Sequence, residues 1–171
     1  YAGAQKNLGA AGVTVVIIRN DLVDKCPDNI TTMLSYKTHV NEKSLYNTPP
    51  CFAVYIVKLF MEWIEQMGGL SVIEERNNKK AKLLYEAIDN SNSYYRGTAD
   101  PKDRSKMNVT FRLPSEALEE KFVNEAKNAG LIGLKGHRSV GGCRASLYNA
   151  MTIEGVQALV DFMGKFAKNN K

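Results

Sequence analysis

The sequence is short of the residues from which disulfide frameworks and metal centres are made. Three cysteines, Cys26, Cys51 and Cys143, and two histidines are scattered over 171 residues with no Cys-x-x-Cys spacing. That excludes a disulfide scaffold and a structural zinc site and places the chain in a reducing, cytoplasmic setting. Long apolar runs are missing too. The longest, Cys51 to Ile64, is interrupted by Lys58 and Glu62, too short and too charged to cross a bilayer. No Gly-x-Ser-x-Gly elbow, no paired carboxylates and no metal-ligand spacing occur, so hydrolases and metalloenzymes have no support. The net charge of +5 is not gathered into a basic run, and neither nucleic acid nor a membrane is expected as a partner. Lys79, Lys80 and Lys82, which follow Glu74 and Glu75 on a helical stretch, read as a solvated face. The chain starts at Tyr1 rather than methionine, and we expect it to be part of a longer protein.

What is present is an ordinary core-forming content of 44% hydrophobic residues. Val13 to Ile18 is a continuous apolar run, expected as a strand buried on both faces, although such a strand needs neighbours that this chain does not contain. Asp21 to Asn41 is polar and broken by Pro27, which predicts loops and short elements. Thr48 as N-cap and Pro49 as first helical residue predict a helix closed by Gly68-Gly69. Its stripe of Phe52, Tyr55, Ile56, Leu59, Trp63 and Met67 is expected in the core. A second helix spans about Ser71 to Asn90. Beyond it the pattern runs strand (Met107 to Leu113), helix (Ser115 to Ala129), short extended pieces (Leu131 to Leu134 and Arg144 to Tyr148) and a closing helix capped by Thr152. This reads as an α/β protein.

Three segments could carry chemistry. In Ala2-Gly-Ala-Gln-Lys-Asn-Leu-Gly9, Lys6 lies between a small-residue turn and the apolar strand, the way a cofactor-bearing lysine is presented; taken alone it reads as a solvated side chain, as most lysines beside glycine turns are. Ser44-Leu-Tyr-Asn-Thr-Pro-Pro50 leads into a helix whose first N–H groups, with Asn47 and Thr48, could seat a phosphate, although capping alone explains Thr48 equally well. Lys135-Gly-His-Arg-Ser-Val-Gly-Gly-Cys-Arg-Ala-Ser146 gathers His137, Arg138 and Arg144 around a Gly-Gly turn. Arginine grips carboxylate or phosphate through two parallel charge-assisted bonds. If Arg144 opens a strand, it shares a face with Ser146 and Tyr148 while Ala145 and Leu147 pack behind. A basic surface turn is the alternative for this segment.

Together, Ala2-Gly-Ala-Gln-Lys-Asn-Leu-Gly9, Tyr46-Asn-Thr-Pro-Pro50 and Gly136-His-Arg-Ser-Val-Gly-Gly-Cys-Arg-Ala-Ser-Leu-Tyr-Asn-Ala150 closely resemble the phosphoserine aminotransferase family of class-V, fold-type I pyridoxal-phosphate enzymes. Asp89-Asn-Ser91 and Arg104-Ser-Lys-Met-Asn108 add to the likeness, which covers the C-terminal half of the family's length. It implies that residues 1–69 are the remainder of the large cofactor domain and 70–171 the small C-terminal α/β domain. It implies pyridoxal 5'-phosphate as cofactor, carried on Lys6 as the catalytic residue, with Gln5 holding its phosphate. Asn47 and Thr48 would reach the partner subunit's cofactor phosphate across a homodimer interface. Arg144 would bind the substrate α-carboxylate, and His137 with Arg138 the distal phosphate or carboxylate. The implied reaction moves an amino group between glutamate and 3-phosphohydroxypyruvate, giving 2-oxoglutarate and phosphoserine on the route to serine. The family's ring-stacking aromatic, pyridine-pairing aspartate and glycine-rich phosphate cradle belong to the N-terminal half and have no counterpart here. These residues alone are therefore expected not to catalyse the reaction. A non-catalytic truncated form, or an anion-binding module that pairs with full-length subunits, is the rival reading.

Overall fold

Residues 1–170 are described by the structure, a computed structural model, as two units, Tyr1–Gln66 and Met67–Lys171. The first opens on two short antiparallel strands, β1 (Ala2–Gly3) and β2 (Thr14–Val15), in the register Ala2 to Val15 and Gly3 to Thr14. Two short helices follow, α1 (Asn20–Asp24) and α2 (Tyr36–Asn41), then the long helix α3 (Cys51–Gln66).

Three expectations fail in this unit. The apolar run 13–18 is not buried on both faces: only Thr14 and Val15 pair, Val15 and Val16 are exposed, and Ile17 is 92% exposed. The stripe on α3 is not core either. Phe52 is 75% exposed, Tyr55 and Leu59 are exposed, and the buried positions of the helix are Ala53 and Ile64. Both failures have one cause: an apolar face is buried only when a second layer packs on it, and these 66 residues offer the run and the stripe none. Third, the helix starts at Cys51 rather than Pro49. Pro50 contributes the carbonyl that receives the first helical N–H, from Val54 (3.1 Å), so both prolines precede the helix and Thr48 is not its N-cap.

The second unit is a three-stranded antiparallel sheet with helices packed on one side. Helix α4 (Leu70–Asp89) leads to β3 (Arg96–Gly97), β4 (Asn108–Arg112), helix α5 (Glu116–Asn128), β5 (Cys143–Ser146) and helix α6 (Ile153–Asn169). The spatial order is β3-β4-β5, with Thr110 opposite Arg144 and Phe111 opposite Cys143. Leu131 to Leu134 is not a strand, although the Leu134 carbonyl accepts the Arg144 N–H (2.9 Å) and Lys135 bridges Cys143. Ser115 caps α5 by accepting the Leu118 N–H, and Thr152 caps α6 by accepting that of Gly155. Each satisfies a donor that helix geometry leaves without an internal partner.

The core lies between the sheet's inner face and α4, α5 and α6. Phe122 of α5 is at its centre, fully buried and in edge contact with Tyr95, Phe111, Phe162 and Phe166 at centroid distances of 5.1–5.9 Å. Edge-to-face packing places the electropositive rim of one ring on the electronegative face of another. Tyr95 is buried as well, and its hydroxyl is satisfied by the Met163 carbonyl (2.9 Å). Lys80 corrects the expectation of a solvated lysine row. Only Lys79 and Lys82 reach solvent, pairing with Glu75 and Glu86, while Lys80 is 1% exposed because it falls on the same helical face as Ile73, Asn77, Leu84 and Ile88.

These packing differences set an expectation for stability. Phe122→Ala should lower the unfolding free energy by about 3–5 kcal/mol, whereas Phe52→Ala should change it by no more than about 0.5 kcal/mol. Urea unfolding of the chain, followed by fluorescence and circular dichroism, distinguishes the two.

Candidate functional site

In the first unit, Gln5 and Lys6 lie on the turn that joins β1 to β2. Ala4 is fully buried, and its carbonyl accepts three N–H groups, those of Lys6 (2.7 Å), Leu8 (3.2 Å) and Gly9 (2.8 Å), while its own N–H donates to Val13 (2.9 Å). The backbone of Lys6 is thereby fixed while its side chain remains at the surface. A Cβ at Gly9 would come within 3.0 Å of Val57 Cγ2 and 3.3 Å of its backbone, so glycine is what lets this turn lie against α3. Asn47 and Thr48 are exposed on the approach to α3, where Asn47 Nδ2 donates to the Thr48 carbonyl (3.2 Å). A primary amine on a turn with a fixed backbone fits an aldehyde, and the carboxamide of Gln5 on the same turn fits its phosphate, while Asn47 and Thr48 lie on a separate stretch of the unit.

In the second unit, β5 alternates as its sequence suggests. Cys143, Ala145 and Leu147 are buried, and Arg144, Ser146 and Tyr148 are turned to the other face. Burial pushes the Cys143 thiol up to about 12, so it is an inert packing group. On the outer face Asn108 Oδ1 accepts from Ser146 Oγ (3.4 Å) and Tyr148 Oη (3.2 Å), and the Thr98 and Thr110 hydroxyls are hydrogen-bonded. Arg144 stands opposite Thr110, with its Nε shut off from solvent and no hydrogen-bond partner among the described residues. A buried guanidinium N–H without a partner is costly to leave unmet.

The loop 136–142 closes on itself. Gly136 N–H donates to the Gly142 carbonyl (2.8 Å), Val140 and Gly141 N–H donate to the His137 carbonyl (2.9 and 2.8 Å), and His137 Nδ1 lies 2.7 Å from Ser139 Oγ. His137 and Arg144 line one hollow of about 250 Å³ together with Thr98, Thr110 and Arg112. Arg138 lines a neighbouring hollow of about 430 Å³ together with His137, Arg112 and Glu119. Two residues of this region escape a reading by motif. Arg112 shares the outer face with Thr110, and Glu119, 7% exposed, faces inward from α5.

The ground beneath Arg144 and Tyr148 is set by Lys80. Its Nζ donates to the carbonyls of Leu147 (3.1 Å) and Tyr148 (2.8 Å), just past the end of β5, and Asn77 Nδ2 donates to Asn149 Oδ1 (2.8 Å) beside them. A strand end that would otherwise leave two carbonyls facing the helix layer is satisfied by one buried ammonium.

This α/β arrangement, with its turn-borne lysine and arginine-bearing strand, belongs to the class-V aminotransferases, whose family profile matches residues 1–159. The curated relatives it matches are phosphoserine aminotransferases. That of Syntrophobacter fumaroxidans is 60% identical over 171 residues, and that of Geobacillus kaustophilus 57% identical over 168. The match covers 99% and 98% of this chain, respectively, but 47% of each relative, so the chain spans about half their length. Among solved structures, the phosphoserine aminotransferase from Bacillus circulans subsp. alkalophilus superposes with a TM-score of 0.97 at 54% identity, covering 99% of this chain and 47% of its own. The pyridoxal-phosphate-bound enzyme from Trichomonas vaginalis has a TM-score of 0.89 at 43% identity, covering 95% and 46%.

Lys80 makes a pH-dependent contribution that can be isolated. Burial, reinforced by the like charge of Arg76, pulls it from 10.5 down to about 8. Between those values the unfolded chain holds more protons than the folded one, so the contribution of this group to stability rises with pH. Relative to Lys80→Met, the parent should gain stability as pH is raised through this window, the difference being constant below it and constant at a higher value above it, as measured by urea unfolding at a series of pH values; a difference independent of pH throughout would contradict the assignment.

Proposed function

We propose that this chain is the C-terminal portion of a phosphoserine aminotransferase that transfers an amino group between glutamate and 3-phosphohydroxypyruvate, with pyridoxal phosphate held on Lys6. The observation that carries the reading is that Arg144 and His137 line one hollow and His137 and Arg138 line its neighbour. Both substrates are anionic at both ends, and a site with guanidinium groups near one another on a rigid sheet and a closed loop suits such molecules.

In this reading each residue has one task. Lys6, its backbone fixed by the Ala4 turn, would hold the cofactor through its amine, and the same amine would take and return the proton of the substrate α-carbon. Bound pyridoxal phosphate supplies an electron sink for the pair left on that carbon. Gln5 donates to the cofactor phosphate, and Asn47 with Thr48 serves the partner subunit's cofactor in a homodimer. Arg144 takes the α-carboxylate through its fork, orienting the α-carbon bond to be broken. His137 and Arg138 meet the distal phosphate or carboxylate. Such an enzyme belongs in the cytoplasm, in the formation of serine. The half-length match to the relatives supports one further statement: residues 1–171 by themselves do not transaminate.

The test is made on the complete enzyme. Incubation with pyridoxal phosphate, reduction by borohydride and peptide mapping should place the label on Lys6, and label elsewhere refutes its role. Arg144→Ala should cost both amino donors about a hundredfold or more in kcat/KM, the loss expected when a charge-assisted pair is removed. Arg138→Ala should harm phosphoserine more than glutamate, since a phosphate leaves more charge uncompensated; equal losses would refute this division of labour.

A further inference from the structure

We propose that Arg112 is a positioning residue for the distal end of the substrate: with Glu119 behind it, it tethers the loop that carries His137 and Arg138. The proposal rests on the reading that this loop meets the substrate's distal anion. The loop's two ends are tied to β5 through the Leu134 carbonyl, which accepts the Arg144 N–H, and the Lys135–Cys143 bridge, and its internal bonds, Gly136 to Gly142 and Val140 and Gly141 to His137, give it shape, but none of these joins the Val140 crest to β4. Arg112 does. Its Nη1 donates to the Val140 carbonyl at the loop's crest (3.2 Å), and its Nε donates to Glu119 Oε1 (2.6 Å), with Glu116 at 3.9 Å from Nη2.

Glu119 in turn is held rather than mobile. It is 7% exposed and also accepts the backbone N–H of Leu113 (3.2 Å), one residue beyond Arg112. A buried carboxylate is retained where its oxygen is fully engaged, and here one oxygen serves both the strand end and the guanidinium. The loop lies directly on the Arg112 stem. A Cβ at Gly142 would come within 2.6 Å of Arg112 Cδ and 3.0 Å of the Phe111 carbonyl, and Gly142 has φ +70°, a conformation that side chains resist. The close approach at Gly142 and the hydrogen bond at Val140 both act on the C-terminal limb of the loop, so together they hold that limb down on the sheet. Arg112 also lines both hollows, the one holding His137 and Arg144 and the one holding Arg138. Its Nε and one donor of Nη1 are committed to Glu119 and Val140, and through them it acts on the loop.

Lysine cannot replace this group, because one ammonium cannot serve Glu119 and the Val140 carbonyl with the reach of a planar fork. The test uses the complete enzyme, with this chain continuous with the half its relatives carry. Arg112→Lys should raise KM for O-phospho-L-serine about tenfold, the scale of one lost charge-assisted hydrogen bond. KM for glutamate should rise less, with kcat within about twofold for both. Hydrogen exchange should quicken at the amides of Gly136, Val140 and Gly141 while those of β4 and β5 keep their protection. The double variant Arg112→Gln/Glu119→Gln, which leaves no buried carboxylate without a partner, should show the same pattern and covers the case in which Arg112→Lys fails to fold. Unchanged KM and exchange in either variant would overturn the tether, as would equal losses for both substrates accompanied by faster exchange throughout the sheet. Failure of the parent enzyme to use phosphoserine would instead sink the functional reading, and the exchange pattern alone would then decide whether Arg112 holds the loop.

Discussion

The second unit is organised by the pairing of β4 with β5. Setting Thr110 opposite Arg144 and Phe111 opposite Cys143 sends alternate side chains of both strands into the core, where they meet Phe122 and the helices. The same register delivers Arg144, Ser146, Thr110 and Arg112 to the outer face. A slip of β5 by one residue would exchange its two faces, burying Arg144 and exposing Cys143 and Ala145. The aromatic cluster around Phe122 therefore does more than stabilise the unit. By making one register overwhelmingly better than its neighbours, it decides which side chains are available for chemistry.

Two buried charges sit beneath that outer face, and both act on backbone. Lys80 closes off the carbonyls that follow β5, and Glu119 receives the N–H that follows β4 while holding Arg112. An apolar residue in either place would pack well enough, but it would leave strand-end polar groups facing a dry layer. The ends of β4 and β5 are where the loop and the arginine are mounted, so polar anchoring is concentrated where displacement would matter most to a bound anion.

The first unit shows the other side of the same physics. Its turn around Ala4 is locally complete, because one carbonyl gathers three N–H groups and a glycine allows close approach to α3. Its strand and long helix are not complete, since the apolar faces they carry meet no second layer within the unit. Hydrophobic periodicity records what a segment is suited to bury, and burial itself is a property of two surfaces.

The sequence by itself determined the short-range features: the caps at Ser115 and Thr152, the alternation from Cys143 to Tyr148, the helices of the second unit, and the motifs around Lys6, Asn47 and the 136–144 loop. Each depends on neighbours within a turn or a strand pair, which the order of residues specifies. The tertiary structure decided the rest. That Lys80 and Glu119 are buried, that Phe52 and Ile17 are exposed, and that Arg112 comes to lie under Val140, 28 residues away along the chain, depend on which surfaces meet. A lysine in a charged row or a glutamate on an amphipathic helix looks solvated until a strand end lacking partners is brought against it, and no local pattern encodes that encounter.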